Sequence, residues 1–370
     1  MKDSQPTQKI GILSMQRVPN YGSFLQAFAL LQVIKKLRPN ADVLFVDIKP
    51  DVLFRERLVV FLRMIGGFIL KGSVFKVVQR CLYIAKQRQL VFKKYQRKYL
   101  NLTDKHNYGD TLNSIVIGSD EVFNCLQRAS WGFSKNLLGE GLNTNNVITY
   151  AASCGATTIA GVEAMSLSKE VEKAFKNIKQ FSVRDENTFQ FVKRFAGKEA
   201  CTSVDPVFLF NFDTYIPAMR MQNQDYVLVY SYTERFSIPD EISAIRKFAK
   251  ENNMKIIGTF GYQSWCDKNL ILDPFELLAY VKQASYIVTD TFHGTIFSIK
   301  YNKPFVSFVR HNRNNAKLHH LLKIFELQDR EINNINDLQE KLKQKINYGS
   351  VNRIIDRQTQ ISFDYLDQYL

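Results

Sequence analysis

Apolar residues in this chain fall into short runs separated by polar turns, and the runs alternate with stretches whose apolar residues recur every third or fourth position. Lys9–Ser14 (KIGILS) is an apolar run ending in a polar loop, and Asn20–Leu37 carries apolar residues at helical spacing. The chain therefore opens strand, loop, helix. Val43–Ile48 completes a βαβ opening, and Ser114–Gly118, Val147–Ala151 and a run closing at Phe181–Arg184 predict further strands. After a turn-rich stretch, Asn211–Gln224, a second series begins. Strands are expected at Tyr226–Ser231, Lys255–Thr259, Tyr286–Thr289 and from Pro304 to Phe308, and helices at Ile238–Asn252, Glu276–Ala284, Thr295–Tyr301 and Leu318–Phe325.

Short buried strands alternating with helices predict a mainly parallel sheet. The chain has 370 residues, and at about 100–200 residues per domain the pause near 210–225 divides it in two. The expected fold is α/β, with two Rossmann-like domains over 1–215 and 216–370 facing across a cleft; the last residues, from about 350, are free to return to the first domain. With 45% hydrophobic and 23% charged residues, the composition is globular and excludes disorder, collagen and coiled coil as the whole. No window holds the about 18 apolar residues of a spanning helix. The polar Met1–Gln8 does not read as a signal peptide. Five scattered Cys without a CxxC predict no disulfide framework and no thiolate zinc site, which points to the reducing cytoplasm.

Charge changes the picture. The net charge is +15, and residues 51–100 hold 12 Lys and Arg against 2 acids, so ten of the fifteen net positive charges sit in one stretch. A local basic stretch implies a partner bearing phosphates. The stretch also carries Leu58–Leu62, Ile65, Phe68–Leu70 and Phe75, which nucleic-acid arms rarely do, so no nucleic-acid partner is expected. Two readings stand: a basic amphipathic helical insertion lying on an anionic membrane surface, or an insertion with an ordinary core face and a solvated basic face.

In parallel sheets ligands bind outside the carboxyl ends of the strands, and five polar clusters fall there. In Asn20-Tyr21-Gly22-Ser23, backbone N–H groups opening a helix can hold an anion, or Asn20 is simply a cap. In Gly118-Ser119-Asp120, Asp120 can bind sugar hydroxyls or cap a helix. Ser153-Cys154-Gly155 follows another strand. Arg184 suits bidentate capture of carboxylate or phosphate, or pairs locally with Asp185 or Glu186. In Asp290-Thr291-Phe292-His293-Gly294, His293 stands between strand and helix, where it can donate a proton beside an anion held at the helix N-terminus. Lys303 and Arg313 are further cations near the same edge. His311 and His319-His320 show no metal spacing, and no metal is expected.

Taken in order, NYGSFLQAFAL, VIGSDEVFN, YAASCG, SVRDEN and VTDTFHGTIFSIKYNKPFV resemble the motifs of the polysaccharide pyruvyl transferase family over about residues 9–310. The resemblance implies a GT-B-like architecture with the donor cleft between the domains. It implies an enzyme that moves the enolpyruvyl group of phosphoenolpyruvate onto two hydroxyls of a sugar as a cyclic ketal, without a cofactor, in surface or capsular polysaccharide synthesis. The catalytic candidates are His293, Arg184 and Asp120. Donor binding falls to Arg184, Thr291, His293, Gly294, Thr295, Lys303 and Arg313. Acceptor binding falls to Asn20, Tyr21, Gly22, Ser23, Ser119, Asp120 and Ser153. The expected partners are phosphoenolpyruvate, a sugar acceptor on a lipid-diphosphate carrier, and the inner face of the cell membrane, with the enzyme peripherally attached.

The chain departs from that pattern at Glu121 and Phe123, where the family often has Gln and Trp. It departs also at Thr291, where some members have an Arg that can serve donor phosphate; Arg184, Lys303 and Arg313 are the cations that could take its place. Two other functions fit the same elements. One is a GT-B-like glycosyltransferase using a nucleotide sugar, and the other is a non-catalytic module binding a lipid-linked glycan.

Overall fold

The computed structural model describes residues 8–49, 82–86, 91–109, 111–127, 134–218, 225–309 and 315–370. Most of the basic stretch 51–100, with its expected amphipathic insertion, lies outside the described residues, as do Cys81, His311 and Arg313.

Two five-stranded sheets, parallel throughout, organise the chain. The first contains β1 (Lys9–Leu13), β2 (Asp42–Val46), β3 (Ser114–Ile117), β4 (Val147–Thr149) and β5 (Ile178–Gln180), in the order β2-β1-β3-β4-β5. A two-stranded pair, β6 (Ser182–Val183) with β7 (Cys201–Thr202), extends this side through the bridge from Ala152 to Val183. The second contains β8 (Tyr226–Ser231), β9 (Lys255–Phe260), β10 (Lys268–Leu270), β11 (Tyr286–Thr289) and β12 (Phe305–Ser307), in the order β10-β9-β8-β11-β12. Every residue of β3 and β8 is buried, the pattern of parallel strands covered on both faces. The architecture is two Rossmann-like α/β units facing across a cleft.

Each strand order reverses once, between β1 and β3 in the first sheet and between β8 and β11 in the second. At such a switch point the connections leave in opposite directions and a crevice opens at the strand ends. This is what positions the site.

Helix α1 (Tyr21–Leu37) is buried almost from end to end, because one side covers the first sheet and the other faces the second unit. The Tyr21 hydroxyl donates to the Leu272 carbonyl at 2.6 Å. Phe28 packs its ring 4.9 Å from Tyr215 and 5.4 Å from Phe275, and Phe24 lies 6.0 Å from Phe275. Helix α2 (Lys93–Leu100) adds Tyr95 and Tyr99, and the Tyr95 hydroxyl donates to Asp273 at 2.7 Å. Aromatic pairs of this geometry contribute about 0.5–1.5 kcal/mol each beyond their buried area, so the units share one apolar core along this seam.

The final helix, Tyr348–Tyr369, lies against the first unit: Ser362 Oγ accepts from the Val204 N–H at 3.3 Å, and Arg38 pairs with Asp367 at 2.7 Å. No helix among the described residues is long and apolar enough to cross a membrane.

Candidate active site

The carboxyl ends of both switch-point strand pairs meet in the cleft. Asn20 follows β1, and Asp120 and Glu121 follow β3. From the other side come Tyr232 and Arg235 after β8 and Asp290 to His293 after β11. Together with Arg184, Tyr230 and Lys317 they line a cavity of about 80 Å³, room for a phosphate or a carboxylate but not a sugar. Asn20, Asp120, Glu121, Tyr232 and Arg235 also border a wider trough of about 620 Å³, which could hold one.

His293 lies in the first turn of α3 (Phe292–Lys300), the helix that leaves β11. The sequence pattern starts this helix at Thr295, three residues late. Thr291 caps it earlier, its hydroxyl accepting from the Gly294 N–H at 3.0 Å. Gly294 permits this: a Cβ there would stand 2.2 Å from Thr289 Oγ1. His293 Nε2 points at Asp205 Oδ2, 3.5 Å away. Its Nδ1 lies against Gly22, where a Cβ would come within 2.1 Å of it. The imidazole of the second unit is thus seated on the first turn of α1.

Arg184 follows β6 and is buried. It pairs with neither Asp185 nor Glu186. Its guanidinium reaches Asp205 Oδ2 at 3.1 Å and Asp120 Oδ1 at 3.4 Å, and lies 4.4 Å above the Phe292 ring. Asp185 caps the following helix instead, accepting from the Thr188 N–H at 2.9 Å. Two donors at the cavity, Arg184 Nε and the Tyr230 hydroxyl, are buried with no hydrogen-bond partner among the described residues. Buried polar groups are nearly always satisfied, so both donors are available to an acceptor that enters the cavity.

The electrostatics follow from the pairing. Burial pushes the Asp120 carboxyl up, but Arg184, His293, the Ser23 hydroxyl and Lys317 together pull it down to about 2. Asp205 and Glu121 are also lowered against the effect of burial, the first by His293 and Arg184, the second by Lys317. Tyr232 is 46% exposed as a whole, yet desolvation on its cleft side and the charges of Asp120 and Glu121 push its hydroxyl up to about 12, so it is a neutral donor. Asp120 holds φ at 82° and Phe260 at 73°, conformations that cost non-glycine residues energy and gather at functional sites.

The expected site residues divide into three groups. His293, Arg184, Asp120, Thr291 and Asn20 line the cavity, and Gly22, Ser23, Ser119 and Gly294 hold them there. Ser23 Oγ donates to Asp120 at 2.6 Å, and Ser119 Oγ donates to Asp205 at 3.3 Å. Asn20 acts as a cap: its Oδ1 takes the Gly22 N–H at 2.8 Å and the Ser23 N–H at 3.4 Å, so those amides are not free for an anion. Its Nδ2 crosses the cleft to the Tyr232 hydroxyl at 3.3 Å.

A second group supports from behind. Tyr21 is spent on Leu272, Ser153 donates to Asp185 at 2.6 Å, and Thr295 donates to the Thr291 carbonyl at 3.1 Å; all three are fully buried.

Lys303 is elsewhere. It follows the far end of α3, and its ammonium donates to the Lys282 carbonyl at 3.0 Å. From His293 to the end of this helix at Lys300 is about 10 Å at 1.5 Å per residue, and Lys303 lies beyond that end. Arg313 lies outside the described residues.

Three participants escaped the sequence reading. Asp205 lies outside the five polar clusters, and its Asp-Pro pair is a helix cap followed by a first-turn proline. Arg235 stands just past the carboxyl end of β8, where ligand groups gather in parallel sheets. Lys317, in α4 (Asn315–Ile324), carries no local signal. Among the described residues no group of three or more His, Cys, Asp or Glu is placed to hold a metal ion.

Distant structural likenesses exist. The UDP-GlcNAc 2-epimerase of Methanocaldococcus jannaschii, in complex with UDP-GlcNAc and UDP, is 13% identical, with a TM-score of 0.44 over 96% of this chain and 99% of that one. A glycosyltransferase of Streptomyces sp. SF2575 complexed with thymidine diphosphate is 10% identical, with a TM-score of 0.46 over 97% and 98%. Likenesses this distant say nothing about activity. No curated protein matches the sequence. The polysaccharide pyruvyl transferase family model, in contrast, matches residues 20–312, a span that begins at the cap of α1 and takes in Asp120, Arg184, Asp205 and His293. The chain belongs to the polysaccharide pyruvyl transferase family.

Proposed function

We propose that this enzyme transfers the enolpyruvyl group of phosphoenolpyruvate to two hydroxyls of one sugar, closing a cyclic pyruvate ketal and releasing phosphate. The observation that carries the reading is the convergence of His293 and Arg184, from opposite units, on the Asp205 carboxylate, at a cavity of phosphate size with unpartnered buried donors.

The donor phosphate sits in the inner cavity and the sugar in the outer trough. A protonated His293, supported by Asp205, gives its proton to the donor methylene, which becomes the ketal methyl. One sugar hydroxyl bonds to the carbon left electron-poor. The carbon–oxygen bond to phosphate then breaks, Arg184 stabilising the charge that leaves. The second hydroxyl closes the ring. Of the two hydroxyl protons, one restores His293 and the other leaves with phosphate. Asp120, held as a carboxylate, accepts a hydrogen bond from the sugar.

A sugar on a lipid-diphosphate carrier, at the inner face of an anionic membrane, is the acceptor that fits the basic and apolar stretch 51–100. Each Lys or Arg near such a surface contributes about 1 kcal/mol. Flotation with anionic liposomes at low salt, and less with neutral ones, is the expected result; protein left at the bottom of both gradients contradicts it. The reaction itself is tested by phosphate release from phosphoenolpyruvate that depends on a sugar acceptor.

A further inference from the structure

A cavity of about 840 Å³ opens on the first unit, beside the outer trough. Met15, Val18 and Pro19, after β1, line both hollows, so the two adjoin. The inner cavity and the trough have room for the phosphate and the reacting sugar. The third space is left for whatever else the acceptor carries.

The walls of this cavity come from both ends of the basic, apolar stretch. Asp47 and Ile48 follow β2 just before it, and Phe92, Lys93, Gln96 and Arg97 belong to its end at α2. The frame is fixed from within. Arg17 binds Asp47 through two N–H groups, at 2.5 and 2.8 Å, and gives another to the Thr103 carbonyl at 2.9 Å. Gln96 Nε2 donates to the Gln16 carbonyl at 2.9 Å. These bonds tie the loop after β1 to β2 and to α2, so the walls need no ligand to hold them.

Two kinds of surface face the space. Val18, Pro19 and Ile48 are partly exposed over the buried Phe92 and Leu102, which makes an apolar floor. Lys93 and Arg97 are exposed cations on the rim, and with Lys94 and Lys98 they surround an adjoining hollow of about 640 Å³. Lys93 and Arg97 stand four residues apart, as do Lys94 and Lys98, and like charges at that spacing destabilise a helix. Arg97 meets Asp104, but both side chains are more than half exposed, and such a pair contributes little and exchanges readily. An anion set among these cations relieves the repulsion.

We propose that this cavity is a second binding site, which takes the diphosphate head and the first hydrocarbon units of a lipid carrier while the sugar on that carrier occupies the trough. The inference rests on the carrier-borne acceptor proposed above and gives the carrier its place. A row of cations beside an apolar floor fits a phosphate ester of a hydrocarbon alcohol. The diphosphate of a sugar nucleotide would suit the rim and gain nothing from the floor.

The test is calorimetry on the whole protein with farnesyl diphosphate, a short water-soluble lipid diphosphate, beside inorganic pyrophosphate and UDP. The proteins are wild type, Lys93→Gln, Arg97→Gln, the Lys93→Gln/Arg97→Gln double variant and Ile48→Ser. Wild type should bind farnesyl diphosphate at least about tenfold more tightly than pyrophosphate or UDP, and saturating phosphoenolpyruvate should not displace it. The double variant should weaken it about tenfold to a hundredfold, and either single variant less. Ile48→Ser should weaken farnesyl diphosphate about threefold to tenfold and leave pyrophosphate unchanged. Should Ile48→Ser fail to fold, the exposed Lys93 and Arg97 still decide. Farnesyl diphosphate that does not bind, that binds equally without both cations, or that phosphoenolpyruvate displaces overturns the inference; pyruvyl transfer to a free sugar would then still stand. Pyrophosphate or UDP binding as tightly as farnesyl diphosphate overturns the lipid assignment. Binding that depends on the cations and Ile48, in a protein that consumes phosphoenolpyruvate with no acceptor, upholds the site and removes the transfer reading.

Discussion

His293 Nε2 stands 3.5 Å from Asp205 Oδ2, and the two residues come from opposite units of the molecule. Asp205 also receives Arg184, so one buried carboxylate orients both groups assigned to the chemistry. His293→Ala should fold and lose about 10²–10⁴-fold in turnover, the usual loss when a general acid is removed. Asp205→Asn keeps the shape but removes the charge supporting an imidazolium, so turnover should fall there too. Steady-state kinetics on both variants, with melting temperatures, checks this; near-wild-type turnover in His293→Ala removes the imidazole from the mechanism.

Gly22 is the seat of that imidazole. Gly22→Ala places a methyl 2.1 Å from the present position of His293 Nδ1, and the imidazole is buried, so it has to move to admit the methyl. Overpacking of this kind costs about 1–3 kcal/mol. The expected result is a modest fall in stability with a much larger loss of turnover, read by denaturant unfolding beside kinetics. A variant as active as wild type means the ring sits elsewhere in the working enzyme.

Arg184 separates charge from shape. Arg184→Lys keeps the positive charge between Asp120 and Asp205 but cannot reach both as a planar fork. Donor KM should rise more than acceptor KM. Arg184→Met takes from two buried carboxylates the guanidinium they share and should destabilise by about 3–5 kcal/mol. A melting temperature that falls while donor KM holds would make Arg184 structural only.

Asp120 sets a pH signature. Its folded pKa of about 2 lies below the unfolded value of 3.8, so the unfolded state binds the proton first as pH falls. The stabilisation is complete above about pH 4 to 5 and is lost toward pH 2. Asp120→Asn should therefore be less stable than wild type at pH 7, with the gap narrowing by pH 3. Urea midpoints at the two pH values measure it. A gap that widens in acid would contradict the assignment, and any acidic limb of the rate profile above pH 4 belongs to another group.

The parts of the fold written in the sequence are those where parallel strands are covered on both faces. Tyr226–Ser231 and Tyr286–Thr289 read as unbroken apolar runs and form strands with those bounds. The edge strand β10, Lys268–Leu270, is only partly buried and has no such run. The strand expected to close at Phe181–Arg184 is two: β5 ends at Gln180 and β6 begins at Ser182, with Phe181 packed into the core between them. In the site, the strand-end rule found His293, Arg184 and Asp120, because sheet topology alone puts them there. It misplaced Lys303, since proximity in sequence to the motif hid a whole helix between them. Lys317 could not be read locally, since its meeting with Glu121 depends on how two units pack.

The most direct test of the central claim is a mass and phosphate balance on one reaction. Wild-type enzyme is incubated with phosphoenolpyruvate and a panel of sugars bearing neighbouring free hydroxyls, with UDP-sugars in parallel. The account predicts one phosphate released per sugar that gains a pyruvate less a water, with solvent deuterium entering the new methyl group, and none of this in His293→Ala. Sugar transfer from a UDP-sugar, with phosphoenolpyruvate left unconsumed across the panel, would contradict it.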